Sequence, residues 1–405
     1  MRYSLLEAGG WGRLQTRLGG PRALAASARH CQAFRRARGV PDAGTLLRLA
    51  MMYGPGGQSL RVACALAEAV GLAELSDVAL QNRLKKAADW LEALCQDYLR
   101  EVAAELAPEQ SGDVLRLIDA SVFTGPGGKA WRLHLCYAPG KARMVQAALT
   151  PTKEGERLDR VPIQAGELRT GDRGYPQPDG LRETREAGGD VLVRLTWNSL
   201  HLLDSKHRPL DWQRLFRKAE RHGTLDTPAL VSKSRGRFTP LPLRLIMIRK
   251  PPQAAARARL KARRQNQKDG RDRINPLTLA AADFLILLTS LDAKDFPVHR
   301  VGGLYRLRWQ VELAFKRLKS LLHMDALRAK DPDLARAWLY AHLLFALLVE
   351  EAVAELEIKP PWRMRRTPDL ALALLPTRCH RVAVRHHAAN QRPHTGAAAA
   401  LTTAA

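Results

Sequence analysis

The strongest constraint on the fold is a change of texture in the chain after Pro108. Before it, apolar residues recur at helical spacing: Leu80, Leu84, Ala87, Leu91, Leu94 and Tyr98 follow intervals of 4, 3, 4, 3 and 4. After it, Val114 to Ile118, Trp131 to Tyr137 and Val145 to Leu149 read as three successive short strands, with Gly-Pro-Gly-Gly at 125–128 as a turn. Val191 to Trp197, Leu241 to Ile248 and Phe284 to Thr289 are further strand-type runs, and helical patterns fill most of 300–357. This order predicts an α/β fold.

In the helical first part, Ser76 stands where an N-cap belongs, at the head of one long amphipathic pattern. Ser59 to Val70 reads as a second helix broken at Gly71. Helix, glycine turn and helix suits a DNA-binding helix-turn-helix, and suits equally a small bundle that only packs. Further on, the stretch from Arg249 to Arg273 carries ten Lys/Arg against two acids. It is expected as a solvated or disordered loop, with phosphate contact as the second reading. The basic sequence after Ile358 is expected to be a disordered arm.

Charge sets the class of partner. Lys plus Arg number 65 against 40 Asp plus Glu, a formal net charge of +25, which points to a polyanion and first of all to nucleic acid. The longest purely apolar run, Leu343 to Val349, is far short of the roughly 18 residues a membrane span needs. The N-terminus lacks the apolar core of a secretory signal, and the five cysteines form no CxxC pair. A reduced, cytoplasmic chain without a structural zinc site is expected. There is no GxxxxGK[ST] and no GxGxxG after a strand, so no phosphate loop is expected.

The most informative segment begins at Tyr305. Tyr305, Arg308, Glu312 and Lys319 lie at offsets of 0, 3, 7 and 14. At 100° per residue they share a helix sector roughly 60° wide. One face thus carries a phenol, a guanidinium, a carboxylate and an ammonium, beside an apolar stripe of Leu307, Val311, Phe315 and Leu318. Geometry alone also allows a plain i, i+4 salt bridge between Arg308 and Glu312 on a solvated face.

The spacing Y-x2-R-x3-E-x6-K resembles the signature of one branch of bacterial insertion-sequence transposases of the DDE class, and every interval is intact from Tyr305 to Lys319. Asp119, in Ile118-Asp119-Ala120-Ser121, and Asp172, opening Asp172-Arg173-Gly174-Tyr175, stand where that family carries its other carboxylates. The resemblance extends from about residue 40 to 355. It implies a ribonuclease H-like core with a β-rich insertion domain, an N-terminal helical domain and C-terminal helices. The expected division is an N-terminal helical, DNA-binding domain at 1–107, the two parts of the catalytic core at 108–197 and 291–357, the insertion with its basic loop at 198–290, and the tail at 358–405.

The resemblance further implies a cut-and-paste transposase that binds inverted-repeat ends and target DNA as a homodimer. Asp119, Asp172 and Glu312 are its catalytic and metal-holding residues, for two Mg²⁺ ions with Mn²⁺ as substitute. In-line phosphodiester attack needs the attacking oxygen activated and the leaving charge neutralised, which a pair of divalent ions held by hard oxygen ligands can do. Arg308 and Lys319 suit phosphate oxygens, Tyr305 can donate one hydrogen bond, and Arg194 is a further DNA-binding candidate. The family's base-stacking aromatic would fall at Leu285, so Phe284, one residue earlier, is the candidate here. A structure-selective nuclease of the same fold, a tyrosine recombinase using Tyr305, and a non-cutting DNA-binding derivative are the competing readings.

Overall fold

The computed structural model describes residues 8–111, 114–233 and 238–355. The N-terminal part is helical: α1 (Ala8–Arg17), α2 (Gly20–His30), α3 (Ala43–Tyr53), α4 (Leu60–Ala69), α5 (Asp77–Lys86), α6 (Ala88–Glu105) and the single turn α7 (Pro108–Ser111). The Ser59 and Ser76 hydroxyls accept the backbone N–H groups of Val62 and Ala79, each at 3.2 Å, and so fix the starts of α4 and α5. Gly71, at φ +64°, makes the turn between them, a conformation that costs glycine little. The long pattern from Ser76 is two helices rather than one. The Ala87 N–H is shared between the carbonyls of Arg83 and Leu84, which ends α5, and α6 starts one residue later. A one-residue offset leaves the apolar spacing almost unchanged, so periodicity does not register it.

The three-stranded meander forms as expected, from β1 (Leu115–Thr124), β2 (Ala130–Ala138) and β3 (Arg143–Pro151). Then follow β4 (Leu168–Gly171), α8 (Pro178–Glu186) and β5 (Asp190–Arg194). Strands β1, β4 and β5 are mutually parallel, and α8 crosses between the last two. The next stretch holds β6 (His201–Leu203), α9 (Trp212–His222), β7 (Thr224–Ser232), β8 (Leu241–Arg249), α10 (Pro252–Lys268), α11 (Pro276–Ala282) and β9 (Phe284–Thr289). Its strands do not form a sheet of their own. They continue the first one, giving a single nine-stranded mixed sheet in the order β3-β2-β1-β4-β5-β9-β8-β7-β6.

The basic stretch expected as a loop is mostly the 17-residue helix α10. Its sequence, rich in Ala, Arg, Lys, Gln and Leu with Pro252 at the first turn, has strong intrinsic helix preference that a count of charges overlooks. The chain ends its described part with α12 (Val298–Arg306), α13 (Trp309–Lys316), a π-helical turn (Arg317–Leu321) and α14 (Pro332–Glu355). The expected basic tail, 358–405, lies outside the described residues.

Helix α14 is long and apolar enough to cross a membrane by length and composition. Its packing is that of a core helix: it lies against α3, α5 and α6, and Arg336 pairs with Glu92 at 2.7 Å and Asp89 at 2.8 Å. Under the sheet, Glu167 is buried between two guanidiniums, Arg116 at 3.2 Å and Arg169 at 3.0 Å. Arg169 also donates to the carbonyl of Val161 at 2.9 Å, tying the segment before β4 to the strand. This ionic set ties β1, which carries Asp119, to β4, which leads directly to Asp172.

Candidate active site

Asp119 was expected at a strand end, but it lies inside β1, opposite Leu135 of β2. What ends there is the other neighbour. β4 pairs with β1 from Leu115 and Leu168 only as far as Leu117 and Thr170; β1 is buried from Leu115 to Ile118 and, Phe123 apart, opens from Asp119 onward. Asp172 follows the last residue of β4. The two acids therefore sit where the parallel pairing of β1 and β4 ends on the carboxyl side, the usual mouth of an α/β sheet. Asp172 Oδ1 accepts the N–H of Gly174 at 3.0 Å, which shapes the tight turn. Burial pushes the Asp119 carboxyl up to about 6. The Ala120 N–H and Arg308 pull it back down, while Asp172 and Glu156 add to the rise.

The signature does not lie on one straight helix. Between α12 and α13 the chain tightens: Leu307, Arg308, Gln310 and Val311 donate to the carbonyls three residues back. Beyond α13 it opens into the π turn that holds Lys319. Tyr305, Arg308 and Glu312 nonetheless come together. The Arg308 guanidinium lies 3.3 Å from Asp119 Oδ2 and also hydrogen-bonds Glu312. Its Cζ is 5.9 Å from the centre of the Tyr305 ring. The Tyr305 hydroxyl is buried with no hydrogen-bond partner. Lys319 Nζ donates to the Val122 carbonyl at 3.4 Å and lies 5.1 Å over Phe123, on the open half of β1. Among the described residues no three of Asp, Glu, His or Cys are close enough to hold one metal ion. Arg308 stands between Asp119 and Glu312 and neutralises both.

Beside Asp172 opens a cleft of about 830 Å³, walled by the end of β5 and by α10 and α11. Arg173, Arg194, Lys250, Lys261, Arg271 and Arg273 line it, against the acids Asp172 and Asp269. Positive charge is crowded here. Burial, with Arg194 and Arg173 nearby, lowers Lys250 to about 8, and burial with Arg194 also lowers Arg173. Arg194 is thus placed in the cleft wall, close enough to the Tyr305 phenol to act on it electrostatically. Phe284 lines the same cleft but is itself buried, stacked on Phe216 with centroids 5.7 Å apart and 14° between planes. Trp197, less buried, is the other aromatic of the wall, and its Nε1 donates to Thr278 at 3.1 Å.

The carboxylates fit a hard divalent cation by their chemistry. Asp119 is desolvated and pressed by Asp172 and Glu156, and Arg308 is the one cation that offsets this beside the Ala120 N–H, so added positive charge there is favoured. Three residues that sequence reasoning passed over belong to this neighbourhood: Arg173, Lys250 and Glu156. Arg173 had a signal, since it follows Asp172 directly. Lys250 had a weaker one, as a member of the basic stretch from Arg249 to Arg273, whereas Glu156 had none, since it sits in an irregular segment before β4 without a pattern of its own.

The chain matches the family described as Transposase DDE domain over residues 110–348. It is 40% identical over 348 residues to the putative transposase InsL for insertion sequence element IS186A of Escherichia coli (strain K12), covering 85% of this chain and 94% of that protein. It is likewise 40% identical over 349 residues to the transposase for insertion sequence element IS421 of Escherichia coli, with the same two coverages. Such family membership sets aside the tyrosine-recombinase reading, whose nucleophile would in any case be a buried hydroxyl. The chain belongs to the DDE-domain transposases of insertion sequences, enzymes that act on DNA.

Proposed function

We propose that this transposase binds the ends of its element and carries out metal-dependent strand cleavage and strand transfer, with Asp119, Asp172 and Glu312 as the catalytic acids. The observation that carries this reading is the joining of Asp119, Arg308 and Glu312 at the mouth of β1 and β4, next to Asp172. The order β3-β2-β1-β4-β5, with β2 antiparallel to its neighbours, supports a ribonuclease H-like core. The three acids are assigned to two Mg²⁺ ions, with Mn²⁺ as substitute. Once bound, the cations supply the Lewis acidity that activates the attacking oxygen and steadies the leaving one.

The protein's own groups position the strand. Arg308 turns from the two carboxylates to a phosphate of the scissile strand, which its planar fork grips at two oxygens. That turn frees Asp119 and Glu312 together. The unpartnered Tyr305 hydroxyl donates to the same backbone, and Lys319 contacts a phosphate beyond it. The strand leaving the site runs into the basic cleft, where Arg173, Arg194 and Lys250 neutralise its charge. Trp197 offers that cleft an aromatic face, a role for which Phe284 has one face already covered by Phe216. In the N-terminal region α4 and α5 form the duplex-binding helix pair, and the DNA complex is a homodimer.

Purified protein with labelled element-end DNA and Mg²⁺ tests the reading. Cleavage followed by joined products is expected, both lost on chelation and in Asp119→Asn. Phosphorylated ends that never join would favour a structure-selective nuclease instead. Binding without any cut would favour a non-catalytic derivative.

A further inference from the structure

A fourth carboxylate reaches this site from outside the motif. Glu156 lies in the segment between β3 and β4, which folds back over the turn Asp172-Arg173-Gly174-Tyr175. The contact is close: a Cβ on Gly174 would overlap the Glu156 carboxylate where it lies over the turn. The Glu156 carbonyl accepts from Gln177 Nε2 at 2.8 Å, which holds the two segments together. Burial and the charge of Asp172 raise the Glu156 carboxyl, against the pull of Arg132.

A second feature points into the same space. Tyr175 is fully buried, its ring packed on Gly171, where an added Cβ would meet it at 2.7 Å. Its hydroxyl has no hydrogen-bond partner, and the acids whose charges bear on it are Asp119, Glu156 and Asp172. Nearby, Arg132 spends Nη1 on the Glu154 carbonyl at 2.6 Å and leaves Nε buried without a partner. An unmet buried hydroxyl is costly, so a donor within electrostatic reach of these acids favours a polar partner such as a bound water. Magnesium-type ions keep several of their waters, so ligands around them need not all touch the metal.

We propose that Glu156 and the Tyr175 hydroxyl are positioning residues of the cation site, holding water ligands of a divalent ion bound at Asp119 and Asp172. This rests on the metal-dependent reading above and adds two residues the DDE motif does not contain.

Mn²⁺ binding to the protein saturated with end DNA, where Arg308 has left Asp119, tests it by the loss of the free-ion paramagnetic resonance signal, corrected for the DNA alone and read independently of cleavage. Wild type is expected to bind, and the Asp119→Asn, Asp172→Asn double variant is expected not to. Glu156→Gln is expected to weaken binding by about tenfold, the usual size for a residue that orients metal ligands. Tyr175→Phe, which removes one buried oxygen, is expected to weaken it less, and Glu156→Asp to recover part of the loss. Melting of the metal-free protein separates this from a folding role: Glu156→Gln should melt as wild type does, but gain less from added Mn²⁺. Wild-type Mn²⁺ affinity in Glu156→Gln, or a metal-free melting point lowered by several degrees, would overturn the assignment. Failure of wild type itself to bind, or equal binding by the double variant, would instead overturn the metal reading and this one with it.

Discussion

Arg308 holds Asp119 at 3.3 Å across 189 positions of chain while also bonding Glu312, four residues away. One side chain thus joins the sheet to the signature helix and serves as the internal counter-charge of both acids. In Arg308→Ala, cleavage of end DNA is expected to fall by about 100-fold, the scale for losing one positioned donor. The slope of log affinity against log salt should drop by about 0.9. Arg308→Lys should recover binding more than cleavage, because an ammonium lacks the two-point grip. Glu312→Gln should abolish cleavage and leave the salt slope unchanged. Normal cutting by Glu312→Gln would remove that residue from the catalytic set.

Asp119 gives a stability effect whose sign runs against its usefulness. Its carboxyl titrates at about 6 in the fold, above the ordinary 3.8. A raised acid favours the folded state while protonated, so its cost is absent below pH 4 and complete above pH 6. Metal-free Asp119→Asn is therefore expected to be more stable than wild type at pH 7.5, by about 2–3 kcal/mol at most. The gain should vanish at pH 4. Urea unfolding at the two pH values measures it, and equal stability at pH 7.5 would show that Asp119 is not held at a cost.

Lys250 predicts a proton linked to DNA binding. Its ammonium is lowered to about 8 by burial and by Arg194 and Arg173, and a phosphate in the cleft favours the charged form. Affinity for DNA should therefore fall as pH rises from 7 to 9 in wild type. Lys250→Met should bind more weakly at pH 7 and lose most of that dependence. Fluorescence anisotropy at constant ionic strength reads both, and parallel pH curves would place Lys250 off the DNA path.

Glu167 predicts a fold defect distinct from a catalytic one. It is the buried acid facing Arg116 and Arg169. Glu167→Ala leaves two guanidiniums without their carboxylate, and removing one member of such a set costs about 3–5 kcal/mol. Loss of secondary structure at lower urea concentration should accompany any loss of activity. A variant as stable as wild type would mean that backbone carbonyls alone satisfy both arginines.

The sequence made the local parts of this site legible. Tyr305, Arg308 and Glu312 are close because they are neighbours along one winding, and the kink at 307–308 is too slight to separate them. The meander followed from alternation and turn residues, while β4, too short to show a pattern, is what brings Asp172 beside Asp119. Two kinds of feature stayed hidden. A residue supplied by an irregular segment, such as Glu156, carries no local pattern, and the basic stretch that contains Lys250 shows charge without showing which of its cations reaches the cleft. Elements whose composition serves two structures were misjudged, as with the basic stretch that is helix α10 and the long pattern that splits at Ala87. The joining of the second group of strands to the first sheet depends on which edge is free, and strand patterns do not encode that.

One consequence of the sheet concerns how such a protein can change. β5 and β9 are hydrogen-bonded partners, with Arg194 opposite Leu287 and Leu192 opposite Thr289, yet nearly ninety residues run between them. The chain leaves the sheet beside the acids and comes back to the same spot. Everything in that excursion, the cleft wall α10 and the three outer strands included, is thus a cassette with adjoining ends. It can be lengthened, shortened or exchanged for another without moving Asp119, Asp172 or the helix that bears Glu312. The reach and DNA preference of a descendant are free to drift while its chemistry stays where it was.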